Sequence, residues 1–138
     1  MLQWEHFEHE ADIGVRGYGA TPAEAFAATA RAMLAVICEP DSVRPEQAVT
    51  IECEAPDLEF LLYDWLNALV YEMATRRMLF SEFEITLRDH RLSATVRGEP
   101  LDLARHQPVV EVKGATYTEL TVQQLPDGRW CAQCVVDI

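Results

Sequence analysis

The sequence has no apolar run that approaches the roughly 20 residues needed to cross a bilayer, so no membrane association is expected. Basic residues are also scarce. Eleven Lys and Arg stand against 23 Asp and Glu, for a formal net charge of −12. The closest basic cluster, Arg76-Arg77, lies at the end of a predicted helix, where a cation suits the helix dipole. Because nucleic-acid binding relies on basic patches that neutralise phosphates, we expect no direct, tight binding of RNA or DNA.

A secretory leader is also not indicated, because the first residues, Met-Leu-Gln-Trp-Glu-His, are acidic and mixed. We therefore expect a cytoplasmic location, in which the four cysteines are unlinked and mostly buried. Two of them, Cys131 and Cys134, spell C-x-x-C. The alternating pattern of residues 129–137 is typical of a strand and places these two cysteines on opposite faces, which disfavours a redox or zinc pair.

Common enzyme signatures are missing too. Gly14, Gly17 and Gly19 form a glycine-rich stretch, but the Gly-Lys-Ser/Thr ending of a phosphate-binding loop does not follow. Turn geometry and close strand packing explain these glycines better. The sequence has no Gly-x-Ser-x-Gly, and no serine, histidine and carboxylate show the spacing of a known hydrolase signature.

What is present suits one globular domain. Hydrophobic residues make up 49% of the 138 residues, enough for a core, and we expect residues 1–138 to form a single domain. Short strands are predicted at 2–8 and 13–18, around a polar bend. A first helix is predicted from Thr21, Pro22 and Glu24, which together resemble a capping box, through to Ile37.

A second helix is predicted from Asp57 onwards, because apolar residues recur there at spacings of three and four over about four turns. Further strands are predicted at 48–54, 83–89, 91–97, within 109–125, and at 130–136. Residues 83–89 and 91–97 are predicted to form a hairpin-like pair around Asp89-His90, which ends at Gly98-Glu99-Pro100. Asp127-Gly128 is predicted to form a second hairpin turn. This order predicts an α+β fold with two helices packed on a mainly antiparallel sheet or pair of sheets.

The first dozen residues are dense in side chains that bind metals: Glu5, His6, Glu8, His9, Glu10 and Asp12. In one regular strand, His6, Glu8, Glu10 and Asp12 would share a face that could hold zinc or manganese. The alternative, a solvated edge strand protected by its charges, is favoured. Five polar residues of the second helix could similarly line a site, although a solvated helix face is the commoner explanation: Tyr63, Asp64, Asn67, Tyr71 and Glu72.

The C-terminal strand runs to the last residue and places two anionic groups side by side, the Asp137 side chain and the Ile138 carboxylate. Such a pair is costly unless it is solvated, protonated or bound to metal. Hard cations such as Ca²⁺ and Mg²⁺ prefer oxygen ligands of this kind. The spacing alone only suggests a metal site here.

Several stretches, in order along nearly the whole chain, resemble the archease family. They are His9-Glu10-Ala11-Asp12-Ile13, Gly17-Tyr18-Gly19-Ala20-Thr21 with Glu24-Ala25-Phe26, Leu61-Leu62-Tyr63-Asp64-Trp65-Leu66-Asn67, Leu79-Phe80-Ser81-Glu82-Phe83, Gly98-Glu99-Pro100 with Asp102 and His106, Val112-Lys113 with Thr116-Tyr117, and Val136-Asp137-Ile138. No single stretch is decisive, but their ordered combination is highly specific.

The resemblance implies an α+β fold and a divalent-metal site at Asp12, Asp137 and the terminal carboxylate of Ile138. Ca²⁺ is the metal it implies first, with Mg²⁺ or Mn²⁺ as alternatives. It also implies functional or partner-facing roles for Lys113 and His9. The chain departs from the family pattern at Gly114, at Thr118, where His is frequent, and at Glu10, where Thr is usual.

For function, the resemblance implies an accessory protein of an RtcB-type tRNA-splicing RNA ligase, not an enzyme. Such a protein promotes guanylylation of the ligase and multiple turnover in RNA joining. Two alternatives stay open. One is a stand-alone metal-dependent enzyme that uses the cluster from His6 to Asp12, and the other is a general chaperone or adaptor.

Overall fold

The chain folds as two antiparallel sheets with two long helices, as described for residues 2–138 by a computed structural model. The strands are β1 Gln3–His9, β2 Asp12–Gly19, β3 Gln47–Glu54, β4 Met78–Arg88, β5 Arg91–Pro100, β6 Gly114–Ala115, β7 Thr121–Gln124 and β8 Trp130–Asp137. The helices are α1 Pro22–Ile37, α2 Leu58–Arg76 and the short α3 Leu103–His106, with one 3₁₀ turn at Pro40–Ser42. The predicted α+β class is confirmed.

The larger sheet is built around β8. Its order is β1-β2-β8-β6, and β7 pairs with the same edge of β8 as β6 does. β6 occupies the end of that edge, with Gly114 opposite Asp137, and β7 its beginning, with Gln124 opposite Trp130. The smaller sheet has the order β3-β5-β4. With partners on both sides, β8 is held in place as far as Asp137.

Helix α1 begins as predicted and contacts both sheets. The Thr21 hydroxyl accepts a hydrogen bond from the Glu24 N–H at 3.2 Å, and the Glu24 carboxylate accepts one from the Ala20 N–H at 2.7 Å. The helix contacts β1, β2 and β8 on one side and β4 on the other. Its many small alanines allow this close approach, and α1 is buried on more than the single apolar face that the pattern predicts.

Helix α2 completes the core. The Asp57 side chain caps it by accepting a hydrogen bond from the Phe60 N–H at 2.8 Å. The indole N–H of Trp65 donates to the Phe26 carbonyl of α1 at 3.1 Å and so ties the two helices together. The predicted apolar stripe supplies the buried residues Leu61, Leu62, Trp65, Leu66, Leu69 and Met73. Within residues 2–138, no helix is long and apolar enough to cross a membrane.

The β4–β5 hairpin extends further than the sequence pattern indicates. The predicted break at Gly98-Glu99-Pro100 is wrong, because β5 continues through these residues to Pro100. A Cβ at position 98 would lie 1.8 Å from the Leu79 carbonyl oxygen, beside a register shift between Phe80 and Glu82. Glycine is therefore required for β5 to pass this irregularity, and it serves close packing here rather than a turn.

At Gly17 the larger sheet lies close against α1, and replacement of this glycine tests that packing. A Cβ at this position would lie 2.3 Å from the Thr29 backbone nitrogen and 2.6 Å from the Ala25 carbonyl oxygen. We expect Gly17→Ala to push α1 away from β2 and to lower the free energy of unfolding by about 2 kcal/mol. Urea unfolding measures this change.

Gly114→Ala is the matched control, since a Cβ there would meet only the Asn67 Oδ1 atom, at 3.1 Å. We expect this variant to stay within about 1 kcal/mol of the wild-type stability, because a Gly-to-Ala change also reduces the entropy of the unfolded chain. Equal stabilities for the two variants would contradict the assigned contact.

Candidate functional site

Residues from two distant parts of the sequence meet at one end of the larger sheet. Asp12 begins β2 after the turn at Glu10, and the next residue along, Ile13, pairs with Val136. Continuing this register places Asp12 beside Asp137. The Ile138 backbone N–H lies 3.4 Å from the Asp12 Oδ1 atom, to which it donates. We call Asp12, Asp137 and Ile138 the acidic tip.

The acidic tip has the donor chemistry of a hard-cation site. Among residues 2–138, neither the Asp12 nor the Asp137 side chain forms an ion pair. Within that same range, no three His, Cys, Asp or Glu side chains gather closely enough to hold a metal. A cation at the tip would therefore need the terminal carboxylate of Ile138 as its third charged donor. Such an all-oxygen donor set fits Ca²⁺ or Mg²⁺.

Lys113 and His9 flank the acidic tip. The Lys113 N–H donates to the Asp137 carbonyl at 2.8 Å, and the Lys113 side chain is exposed. Its ammonium pairs with no carboxylate of the described chain, residues 2–138. His9 closes β1 directly opposite Asp12. Lys113 is thus available to a partner molecule.

The N-terminal cluster does not form the single face considered for zinc or manganese. Glu10, with φ of 55°, lies in the turn between β1 and β2, so Asp12 is on a different strand from His6. A His6 ring nitrogen is hydrogen-bonded to the Ala32 carbonyl of α1 at 2.7 Å. β1 is an edge strand of its sheet, as the favoured alternative proposed.

The polar side of α2 is partly covered by β6 and by the segment that follows it. The Asn67 side chain holds the Ala115 backbone on both sides, accepting from its N–H at 3.0 Å and donating to its carbonyl at 3.3 Å. One turn earlier, the ring of Tyr63 stacks on the ring of Tyr117. This side of α2 is therefore not simply solvated, because Tyr63 and Asn67 contact the chain around β6.

The cysteines are placed as expected. All four are free thiols, and only Cys53 is not fully buried. Burial raises the pKa of Cys134 to about 12 and also raises the pKa of Cys131. Both thiols of the C-x-x-C sequence are therefore protonated at neutral pH, which is the opposite of a reactive redox pair.

One buried polar cluster was missed by the sequence reasoning. The Glu99 carboxylate is almost fully buried and accepts hydrogen bonds from the Arg105 guanidinium, the Arg44 N–H at 2.7 Å and the His106 ring at 2.9 Å. These donors, Arg105 foremost, hold the pKa of Glu99 at about 2. The second His106 nitrogen accepts from the Asp102 N–H at 2.9 Å. This cluster ties α3 to β5 and is separate from the acidic tip.

Comparisons with known proteins agree with this structure. A family model described as "Archease protein family (MTH1598/TM1083)" matches residues 4–138. Proteins named archease from Pyrococcus abyssi and Pyrococcus furiosus are 43% and 42% identical over 142 residues, with complete coverage of both chains.

Solved structures show the same fold. The solution structure of Methanobacterium thermoautotrophicum protein 1598 has a TM-score of 0.80 at 28% identity and covers 98% of each chain. The crystal structure of a Thermotoga maritima archease, described as a possible chaperone, has a TM-score of 0.63 at 20% identity and covers 96% of this chain and 94% of that one. At this lower identity the likeness bears on the fold alone. The chain belongs to the archease family.

Proposed function

We propose that this protein is an accessory protein in tRNA splicing that activates an RtcB-type RNA ligase. It promotes guanylylation of the ligase and its multiple turnover in RNA joining. Membership of the archease family supports the accessory role. In this proposal the chain supplies no catalytic residue of its own, and the ligase carries out the chemistry.

The observation that carries the mechanism is the meeting of the chain's last residue with Asp12 at an exposed end of the sheet. β8 is paired with β2 as far as Val136 and with β6 at Asp137, and this pairing brings Asp137 and Ile138 to the end of the sheet. We propose that the acidic tip enters the active-site region of the ligase, with Lys113 beside it. The carboxylates there attract and orient cationic groups, including a metal ion that the ligase needs for guanylylation.

A divalent cation fits this proposal as a ligand of the tip. Asp12, Asp137 and the Ile138 carboxylate would hold it. Ca²⁺ is favoured, with Mg²⁺ or Mn²⁺ as alternatives, because all three ligands are carboxylates, which donate through oxygen. When bound, the cation would offset two of the three negative charges that the fold brings together. The chain's own part is to hold Asp12 and Asp137 on neighbouring strands.

The Asp137→Ala variant tests the proposed function. We expect the untagged wild-type protein, at substoichiometric concentration, to increase ligase auto-guanylylation and the number of RNA joining events per ligase. We expect Asp137→Ala to reduce both to the level of the ligase alone, because the tip loses a carboxylate. Asp137 is exposed, so the variant should keep the fold, as measured by circular dichroism.

Glu8→Ala is the control for charge. Glu8 is an exposed carboxylate on β1 near the tip, opposite Ile13, and lies outside the proposed set. The Glu8→Ala variant removes the same charge as Asp137→Ala, and it should stimulate the ligase as the wild type does. Full stimulation by Asp137→Ala would refute the role of the tip. No stimulation by the wild type, with a ligase from the same source, would refute the activator function.

A further inference from the structure

Three aromatic rings, two exposed and one half-buried, form a platform near the acidic tip. The Tyr63 and Tyr117 rings are stacked, with centroids 4.3 Å apart and planes 11° from parallel. Phe60 meets Tyr117 edge-on, with centroids 5.9 Å apart. Tyr117 is 61% exposed and Phe60 is 44% exposed, although burial of such rings is normally favourable. We call Phe60, Tyr63 and Tyr117 the aromatic platform.

The platform is held rigidly. Thr116 donates from its N–H and its hydroxyl to the Val135 carbonyl, at 3.0 and 2.8 Å. The Val135 N–H in turn donates to the Thr118 carbonyl at 3.0 Å. Tyr117 therefore projects from a segment fixed on both sides to the central strand. A rigid exposed aromatic ring loses little conformational entropy on binding, which is typical of an interface anchor.

The two stretches of sequence that carry the platform rings are acidic. The stretches that carry the rings, residues 57–75 and 114–128, contain no Lys or Arg. They contain several carboxylates, of which three are within two residues of a platform ring: Glu59, Asp64 and Glu119. Asp64 and Glu119 form no ion pair among residues 2–138. A cationic partner group would interact favourably with both the rings and the carboxylates.

Arginine has this chemistry. Its planar guanidinium stacks on aromatic faces and donates to carboxylates at the same time. RNA could stack a base on the platform, but its phosphates would meet the carboxylates and a protein of net charge −12. Charge complementarity therefore favours a basic protein surface over a nucleic acid.

We propose that the aromatic platform docks an arginine-bearing surface of the ligase. This inference rests on the proposed function, because it names the ligase as the partner. The segment from Lys113 to Tyr117 connects the acidic tip to the aromatic platform. At one end the Lys113 N–H donates to the Asp137 carbonyl, and at the other Tyr117 supplies a ring of the platform. Docking through the platform places the acidic tip against the same partner, so the platform supplies affinity and the tip supplies activation.

Calorimetric titration of the ligase with Tyr117→Ala tests the docking proposal. We expect the Kd to rise about 30-fold, as for a central aromatic anchor. At saturating concentration this variant should still stimulate guanylylation fully, because the acidic tip is intact. Tyr117→Phe keeps the stacked ring and should bind within about threefold of the wild type.

Tyr71→Ala is the matched control. Tyr71 lies on the same helix and is 65% exposed, and no aromatic stacking partner is found for it in the described part of the chain. The Tyr71→Ala variant should bind the ligase with the wild-type Kd. We also expect the double variant Asp64→Asn and Glu119→Gln to weaken binding and to flatten its dependence on NaCl, since exposed charge pairs are screened by salt.

The outcomes separate the two proposals. A wild type that stimulates the ligase, together with a Tyr117→Ala variant that binds as well as Tyr71→Ala, would overturn the docking site and leave the activator function standing. Binding that depends on Tyr117 without any stimulation would support the docking site and refute the activator function. Binding of a single-stranded RNA oligonucleotide that is lost in Tyr117→Ala would overturn the proposal in favour of base stacking. Absence of ligase binding by the wild type would overturn both.

Discussion

Glu99→Ala is expected to lower the free energy of unfolding by about 4 kcal/mol, because it leaves buried donors without an acceptor. The Glu99 carboxylate joins Arg105 of α3, the Arg44 N–H and the His106 ring. Alanine cannot accept from any of them. The fully buried His106 ring would then have one nitrogen without a partner, and the Arg44 N–H would lose its acceptor, a penalty that adds to the lost ion pair.

Urea unfolding measures this loss, with Glu84→Ala as the control. The Glu84 side chain is 74% exposed and lies 3.7 Å from Arg97, which makes it a loose surface ion pair. Its removal should cost less than about 1 kcal/mol. If Glu99→Ala were no more destabilising than Glu84→Ala, the buried cluster would not hold α3 in place.

The same carboxylate makes stability depend on acid pH. The pKa of Glu99 is about 2 in the folded protein, below its ordinary value of 4.5. The lowered pKa means that the folded state favours the ionised form, so the stabilising effect is complete above about pH 4.5 and is lost as the pH falls towards 2. In Glu99→Gln the decrease in stability between pH 4.5 and 2 should be smaller than in the wild type.

The Glu99 cluster changes how one of the recognised motifs is understood. Gly98-Glu99-Pro100 with Asp102 and His106 contributes to the family resemblance, and its polar residues would suit a catalytic site. Each of its polar groups is instead satisfied inside the fold: Glu99 by three donors, and both nitrogens of His106 by Glu99 and the Asp102 N–H. In this chain the motif therefore stabilises the packing of α3 on β5.

The fold was largely predictable where the signals are local. Thr21 and Asp57 mark helix starts through their side-chain caps, and apolar spacing marks the length of α2. The Asp89-His90 turn and the Asp127-Gly128 turn were also correctly placed. The end of β5 was not predictable, because the need for Gly98 arises from the Leu79 carbonyl on another strand. Helix α3 has only four residues, too few to show a periodic pattern.

The site depends on pairings that no single stretch reveals. The sequence places Asp137 beside Ile138, but only the β2–β8 register brings Asp12, more than a hundred residues earlier, to the same point. The family resemblance implied the set of Asp12, Asp137 and Ile138, which could not be inferred from the local sequence pattern. The stacking of Tyr63 on Tyr117 is of the same kind, because it requires knowing that the segment after β6 crosses α2.

Extending the chain beyond Ile138 is expected to abolish ligase stimulation. Two added glycines move the terminal carboxylate by about 7 Å at full extension, beyond reach of the Asp12 side chain. β8 remains paired through Asp137, so the fold and the aromatic platform should be unchanged. The ligase should therefore still bind the extended protein, but its guanylylation rate should match that of the ligase alone.

A C-terminal amide separates position from charge. It leaves Ile138 where it is and removes only the negative charge, so loss of stimulation in the amide would assign the effect to the carboxylate itself. Calorimetric titration with Ca²⁺ gives an independent readout, because both changes remove one of only three charged donors and should weaken binding at least tenfold. Two added glycines at the N-terminus are the length control and should change neither result. Full stimulation and unchanged Ca²⁺ binding by the extended protein would exclude Ile138 from the site and leave Asp12 and Asp137 as its only carboxylates.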